Sequence, residues 1–196
     1  MLPENIIFFA VFLNLIGAVL YIKSIAKGHT KPNLASWIPW VLAPFIAVFF
    51  QLKAGAGLSV LPIFMAGLGS LAIVITAALT KNALWKLRTL DICCLLLSIA
   101  AIVLYILTHN LDISIIFAIL SDGLAYVPSY VKAWKFPDTE STTAYSWPIL
   151  ANIVGLLVIK DWHFTIYSFG LYLVVCDIAM ITIIHRKKLF PVESKS

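Results

Sequence analysis

At 196 residues, 62% of them hydrophobic and 12% charged, with a mean hydropathy of +1.00, the chain is too apolar for a soluble domain of its size. A membrane-crossing helix needs about 20 mainly apolar residues, so the length allows at most seven or so crossings and leaves no separate soluble domain. The net charge of +5 brings no basic stripe interleaved with aromatics, which argues against nucleic acid, and is read as a signal of topology.

Apolar segments run at about 5–26, 33–52, 59–80, 89–108, 111–134, 141–159 and 163–185, each long enough for a helix in a bilayer. The first is preceded by no basic n-region and followed by no small-residue cleavage site, so it is expected to remain as a helix. Short hairpins rich in turn formers separate the segments, as in Gly28-His29-Thr30-Lys31-Pro32-Asn33 and Phe136-Pro137-Asp138-Thr139. Successive helices are therefore expected to be antiparallel neighbours. Cys93, Cys94 and Cys176 all lie inside apolar runs, where they are expected to pack rather than to pair or hold a metal; no metal or cofactor is expected.

Charge orients the chain. Lys23, Lys27 and Lys31 lie at the first hairpin, Lys81, Lys86 and Arg88 at the third, Lys132 and Lys135 at the fifth, and Arg186, Lys187, Lys188 and Lys195 at the C-terminus. The opposite side has Lys53 and Lys160. The positive-inside rule then predicts the N-terminus outside and the C-terminus in the cytoplasm, in a bacterial inner membrane.

The stretch from Gly123 to Asn152 has a weaker copy between Asn14 and Val41. Tyr21 and Lys23 answer Tyr130 and Lys132, and Ser36-Trp37 answers Ser146-Trp147. This duplication predicts an all-α integral membrane protein of seven transmembrane helices: a first three-helix repeat over 1–82, a linker helix over 83–110, and a second three-helix repeat with the cytoplasmic tail over 111–196. Both halves enter from the same side, which makes them parallel repeats about an axis along the membrane normal. In such an architecture a small-molecule site lies between the halves, near midplane.

Polar side chains deep in the apolar runs are the candidates for that site. Asp122 and Asp177 differ in expected depth by only about 5 Å at 1.5 Å per residue, so a shared cavity is expected; either serves a substrate or proton pathway, or bonds as an acid to a neighbouring helix. Asp122, Tyr126 and Ser129 share one helical face, and Asp177, Val174 and Gly170 another, with Tyr167 one turn before Gly170. Pro148, Asn152 and Gly155 form a face of the sixth segment, and Asn14, Gly17 and Tyr21 one of the first. Trp37, Trp40 and Pro44 lie together on the second, where the tryptophans serve as interfacial anchors or as a stacking surface for a ring. Small-residue spacing such as Ala66-xxx-Ser70 suits packing within one chain or in a homo-oligomer.

Pro128 with Tyr130 and Lys132, then Asp138-Thr139-Glu140-Ser141, then Pro148 and Asn152 resemble the motif of the PQ-loop superfamily, which includes the SWEET sugar transporters, their bacterial half-size relatives and the cystinosin-type amino-acid exporters. Ser129 stands where the motif has glutamine, and the first copy has Leu20-Tyr21 in place of Pro-Gln. The resemblance implies a transporter, not an enzyme, with Pro128 and Pro148 as gating prolines; physically, each frees a carbonyl and makes either a hinge or a fixed kink. Tyr167-Ser168-Phe169-Gly170 is similar to the segment in which SWEET proteins keep a sugar-binding asparagine. Asn152-Ile153-Val154-Gly155 is similar to the one in which cystinosin-type exporters keep a proton-coupling aspartate, so proton coupling falls to Asp122 or Asp177.

The reading is an alternating-access transporter of a small polar solute, such as a sugar, an amino acid or a nucleoside-like compound, with Asn14, Trp37, Trp40, Tyr126, Asn152 and Tyr167 around the substrate. Two alternatives remain. Trp37-Ile38-Pro39-Trp40 is similar to the Trp-x-x-Trp motif of Pnu-type vitamin-precursor transporters, and KDEL-receptor-like binding receptors resemble PQ-loop transporters in fold. A retinal pigment is excluded by the absence of a lysine from the last apolar segment, and Leu120-Ser121-Asp122-Gly123 has the wrong order for an intramembrane aspartyl protease.

Overall fold

The structure, a computed structural model, describes residues 2–81 and 110–189 together with eight isolated positions between 89 and 108. The described residues are helical and contain no strand. The helices are α1 (Ile7–Ala26), α2 (Leu34–Trp37), α3 (Pro39–Lys53), α4 (Leu61–Thr80), α5 (Leu111–Lys135), α6 (Thr143–Val158) and α7 (Phe164–Leu189). Of the linker helix expected over 83–110, the eight described positions between 89 and 108 are helical, and the remainder up to 109 lies outside the described residues.

Local chemistry sets these boundaries. Asn33 Oδ1 accepts from Ala35 N at 3.2 Å and caps α2, and Asn110 Oδ1 accepts from Asp112 N and Ile113 N at 3.0 and 3.2 Å and caps α5; each satisfies N–H groups that a helix start leaves without partners. At its far end α4 stops on Lys81, which turns left-handed at φ 55°. Gly28 and Gly55, at φ 74° and 91°, make the turns after α1 and α3 where a side chain would be strained.

The second apolar segment, expected as one helix over 33–52, is hydrogen-bonded as two pieces. Pro39 has no N–H for the Ala35 carbonyl and opens α3 at its first position, which breaks the ladder. Ile38 between them keeps α-helical angles of −66° and −51°, so α2 runs on into α3 and Leu34–Lys53 spans as one rod.

Helices adjacent in sequence are not all adjacent in space, contrary to expectation. α1 packs on α4 and α6, α4 on α3, α3 on α5, α5 on α7, and α7 on α6, which closes a ring of six rods. In each triplet the third helix lies between the first and second. The connection from Lys27 to Asn33 is long enough to carry the chain past the position that α4 fills, so a short hairpin does not force its two helices together.

The outer surface of this ring is apolar. Phe8, Phe9 and Phe12 on α1, Phe49 and Leu52 on α3, and Val175 and Ile178 on α7 are each at least half exposed, a distribution that water does not favour over so large an area. Five helical spans are long and apolar enough to cross a membrane: Glu4–Ala26, Leu34–Lys53, Leu58–Thr80, Leu111–Lys135 and Phe164–Arg186; α6, at 16 residues, is shorter.

Inside, burial is layered. One apolar cluster of small and branched side chains, including Ala43, Ala47, Ile63, Ile115, Phe169 and Leu173, fills one end of the ring. A second, richer in aromatics, holds Tyr21, Trp37, Trp40, Tyr126 and Tyr145 towards the other end. Between α1 and α6 a third cluster joins Ile7, Ala10 and Leu13 to Ala151 and Val158.

Candidate functional site

A cavity of about 70 Å³ lies inside the ring and is walled by all six rods. α1 gives Asn14, α2 Trp37, α3 Trp40 and Pro44, α4 Ala66, Gly69 and Ser70, α5 Tyr126, α6 Ala144, Tyr145, Pro148 and Asn152, and α7 Leu173 and Asp177. Each faces inward because its helix buries a stripe of small and polar residues and leaves its large aliphatic ones outside.

The aromatic part of the wall is continuous. Trp37 and Trp40 meet edge to face with ring centres 5.1 Å apart, Trp40 and Tyr126 at 4.4 Å, and Tyr21 and Trp37 at 5.2 Å. Such pairs hold each other's orientation beyond the area they bury. Trp40 Nε1 donates to the Asp122 carbonyl at 3.2 Å, tying α3 to α5.

Two carboxylates and two tyrosines cross between α5 and α7. Tyr126 on α5 donates to Asp177 Oδ1 on α7 at 2.8 Å, and Tyr172 on α7 donates to Asp122 Oδ2 on α5 at 3.1 Å. Both acids are buried, at 1% and 4% exposure, and among the described residues neither has a cation within ion-pair distance. Asp177 is on the cavity wall and Asp122 is behind it. The two acids therefore do not share the cavity, although they lie at similar heights.

The polar groups of Asn152 are the least satisfied on the wall. At 2% exposure neither its Oδ1 nor its Nδ2 has a hydrogen-bond partner, and the Tyr145 hydroxyl is in the same condition. Asn14, by contrast, donates to the Ala10 and Pro62 carbonyls at 3.5 and 3.4 Å. Trp37 Nε1 is likewise unpartnered; buried polar atoms cost free energy when unpaired, so Asn152, Tyr145 and Trp37 are the wall positions at which a bound polar group gains most.

Prolines add acceptors. Pro44 and Pro148 remove the helical bonds to the carbonyls of Trp40 and Ala144 four residues earlier, and all four residues line the cavity. Pro128 is buried in α5 away from the wall and frees the carbonyl of Leu124. Tyr167 is also off the wall. It packs on Trp162 at 5.4 Å and on the apolar cluster, because ten residues separate it from Asp177, about 15 Å along α7.

At the aromatic end the two hairpins are latched. Lys132 Nζ donates to Glu140 Oε1 at 2.5 Å and to the Lys31 carbonyl at 2.5 Å, and Tyr21 donates to Glu140 Oε2 at 3.2 Å. The side chains of Lys132 and Glu140 are 6% and 0% exposed. Burial pushes the Glu140 carboxyl above its usual range, against the opposing pull of Lys132 and Tyr21. Close by, Ser129 donates to Ser36 at 2.8 Å in a buried bond between α5 and α2. In the sequence Glu140 stands out only as part of a motif; the signal for its latch is an acid eight residues after Lys132, in a hairpin whose other charges are Lys135 and Asp138.

At the other end Gln51 Nε2 donates to the Ile166 carbonyl at 2.9 Å, and Glu4 pairs with Lys160 at 2.6 Å on the surface. Ala66 and Ser70, the small-residue face of α4, are used inside the chain on the cavity wall. No protein-family model, no curated protein and no solved structure matches the chain.

Proposed function

We propose that the chain is a membrane-embedded transporter that moves a small polar solute by alternating access between two three-helix bundles, residues 1–82 and 111–196. The observation that carries this reading is the cavity itself, walled by three rods from each half and bracketed by two unlike seals. One seal is the apolar cluster around Ile115 and Phe169, and the other is the Lys132–Glu140–Tyr21 latch. Sliding apart apolar side chains and exchanging a buried ion pair for water are separate events, as two gates require.

The ring order supports a parallel repeat. The contacts α1 to α4 and α4 to α3 have their counterparts in α5 to α7 and α7 to α6, and the inter-bundle contacts α1 to α6 and α5 to α3 answer each other. That is the pattern a two-fold axis along the pore generates. The apolar outer faces support insertion in a lipid bilayer, with the latched, lysine-rich hairpin end in the cytoplasm by the positive-inside rule. The same plan is what resemblance to the PQ-loop and SWEET transporters implies.

A receptor reading in the manner of the KDEL receptors gains less support. It needs basic groups in the cavity to hold a peptide terminus, whereas Arg186 is spent on the Ala133, Trp134 and Ile183 carbonyls and on the face of Trp134. Reconstitution in proteoliposomes tests the proposal. Uptake of at least one solute from a panel of sugars, amino acids, amines and nucleosides is expected, with Asp177→Asn reducing it at least about tenfold, the scale of losing one charged hydrogen bond. No uptake of any panel solute, with or without a pH gradient, contradicts it.

A further inference from the structure

We infer that the cavity is built for a small organic cation, an amine or quaternary ammonium compound bearing a neutral polar group, rather than for a neutral sugar. The inference rests on the transporter reading and narrows its substrate class. Among the described residues, the wall holds one carboxyl group, that of Asp177. No lysine, arginine or histidine lines it.

The remaining wall chemistry combines acceptors with two unpartnered donors, Trp37 Nε1 and the Tyr145 hydroxyl. The faces of Trp37, Trp40 and Tyr126 carry the negative side of their ring quadrupoles, to which cations are drawn within about 6 Å of the ring centre. Pro44 and Pro148 leave the carbonyls of Trp40 and Ala144 without their helical partners. An anionic solute meets repulsion from these faces and carbonyls, whereas a cation supplies the counter-charge with which the buried Asp177 carboxyl ionises. A cation offsets the burial of that carboxylate.

Asn152 adds a second point of attachment. Its amide is buried, unpartnered and on the wall, and an amide both donates and accepts, which suits a hydroxyl or amide on the solute. Size agrees. At about 10–15 Å³ per water, a cavity of about 70 Å³ has room for about five to seven waters, close to the seven non-hydrogen atoms of choline and well short of the twelve of a hexose.

The test compares choline with its uncharged isostere 3,3-dimethylbutan-1-ol on the purified full-length chain in detergent, read as the shift in melting temperature. Choline is expected to raise Tm with the logarithm of its concentration, by about 5 °C at a hundredfold excess over its Kd, and the isostere by no more than about a fifth of that. Asp177→Asn is expected to erase the difference between the two. Should that variant fail to melt cooperatively, Asn152→Ala decides: it is expected to weaken choline about tenfold, the worth of one good hydrogen bond, while leaving tetramethylammonium within about threefold. Equal shifts with choline and the isostere, or a shift with glucose and none with choline, overturn the assignment. In that event, uptake of a sugar or amino acid in proteoliposomes leaves the transporter reading standing, and uptake of no solute removes it too.

Discussion

Lys132 and Glu140 pair within the second half and reach from there to the Lys31 carbonyl and the Tyr21 hydroxyl of the first, with almost no solvent around them, and burial of this kind fixes how the pair responds to mutation. Two charges taken out of water are held only while both are present. Glu140→Gln is therefore expected to destabilise the chain by about 3 kcal/mol, because it strands the Lys132 ammonium among carbonyls. The double variant Lys132→Met/Glu140→Leu is expected to recover at least half of that loss, since apolar groups of similar volume replace a buried pair at little cost. Thermal melting in detergent measures both, and a double variant no better than the sum of its singles contradicts the latch. At this scale the sequence was informative where a polar or aromatic residue interrupts an apolar run. Asn14, Trp37, Trp40, Tyr126, Pro148, Asn152 and Asp177 were identified that way and line the cavity. Asp122, Tyr167 and Pro128 were identified by the same signal and do not line it. Helical spacing says which residues share a face, but the direction in which the face turns is set by packing against neighbours that spacing does not encode.

Between elements, α1 and α6 approach closely at one of the two contacts that join the halves. A Cβ placed on Gly17 would lie 2.8 Å from Trp147 Cβ and 3.1 Å from the Thr143 carbonyl, so the absent side chain is what lets Trp147 pack there. Gly17→Ala is expected to cost about 1–3 kcal/mol by overpacking. Gly69→Ala, where the nearest atom is Ala18 Cβ at an ordinary 3.6 Å, is expected to be neutral or mildly stabilising, because alanine is the better helix former. Equal melting temperatures for the two variants contradict this account of the interface. Helix positions were legible from hydropathy, since long apolar runs have few alternatives. Their neighbours were not. The short hairpin before Asn33 suggested that α1 and the α2–α3 rod lie side by side, yet α4 lies between them, because a closed ring buries every inward stripe and a row of sequential neighbours does not.

At the scale of the whole molecule, the described residues form a ring with a polar and aromatic centre, an apolar exterior and different chemistry at its two ends. Tyr21 with Tyr130 and the paired Ser-Trp steps suggest a duplication and two bundles from the sequence alone. The halves differ at the latch: Lys132 is buried in an ion pair, whereas Lys23 is exposed. Thr30 bonds to Ser24 at 2.5 Å in the first hairpin, while Glu140 in the second reaches across to Tyr21. One half thus supplies both charges of the latch and the other a carbonyl and a hydroxyl. Separating the halves at that end exposes a complete ion pair rather than two unmatched charges, which lowers the barrier to opening. The central claim is that the cavity opens to each side of the membrane in turn, and thiol labelling tests it most directly. In a background with Cys93, Cys94 and Cys176 replaced by alanine, Asn152→Cys is reconstituted and exposed to a membrane-impermeant reagent from one side at a time. The account predicts labelling from either side, with a cross-link between the hairpins at residues 31 and 139 abolishing it from the hairpin side alone; labelling confined to a single side in the unlinked protein, or absent from both, would contradict it.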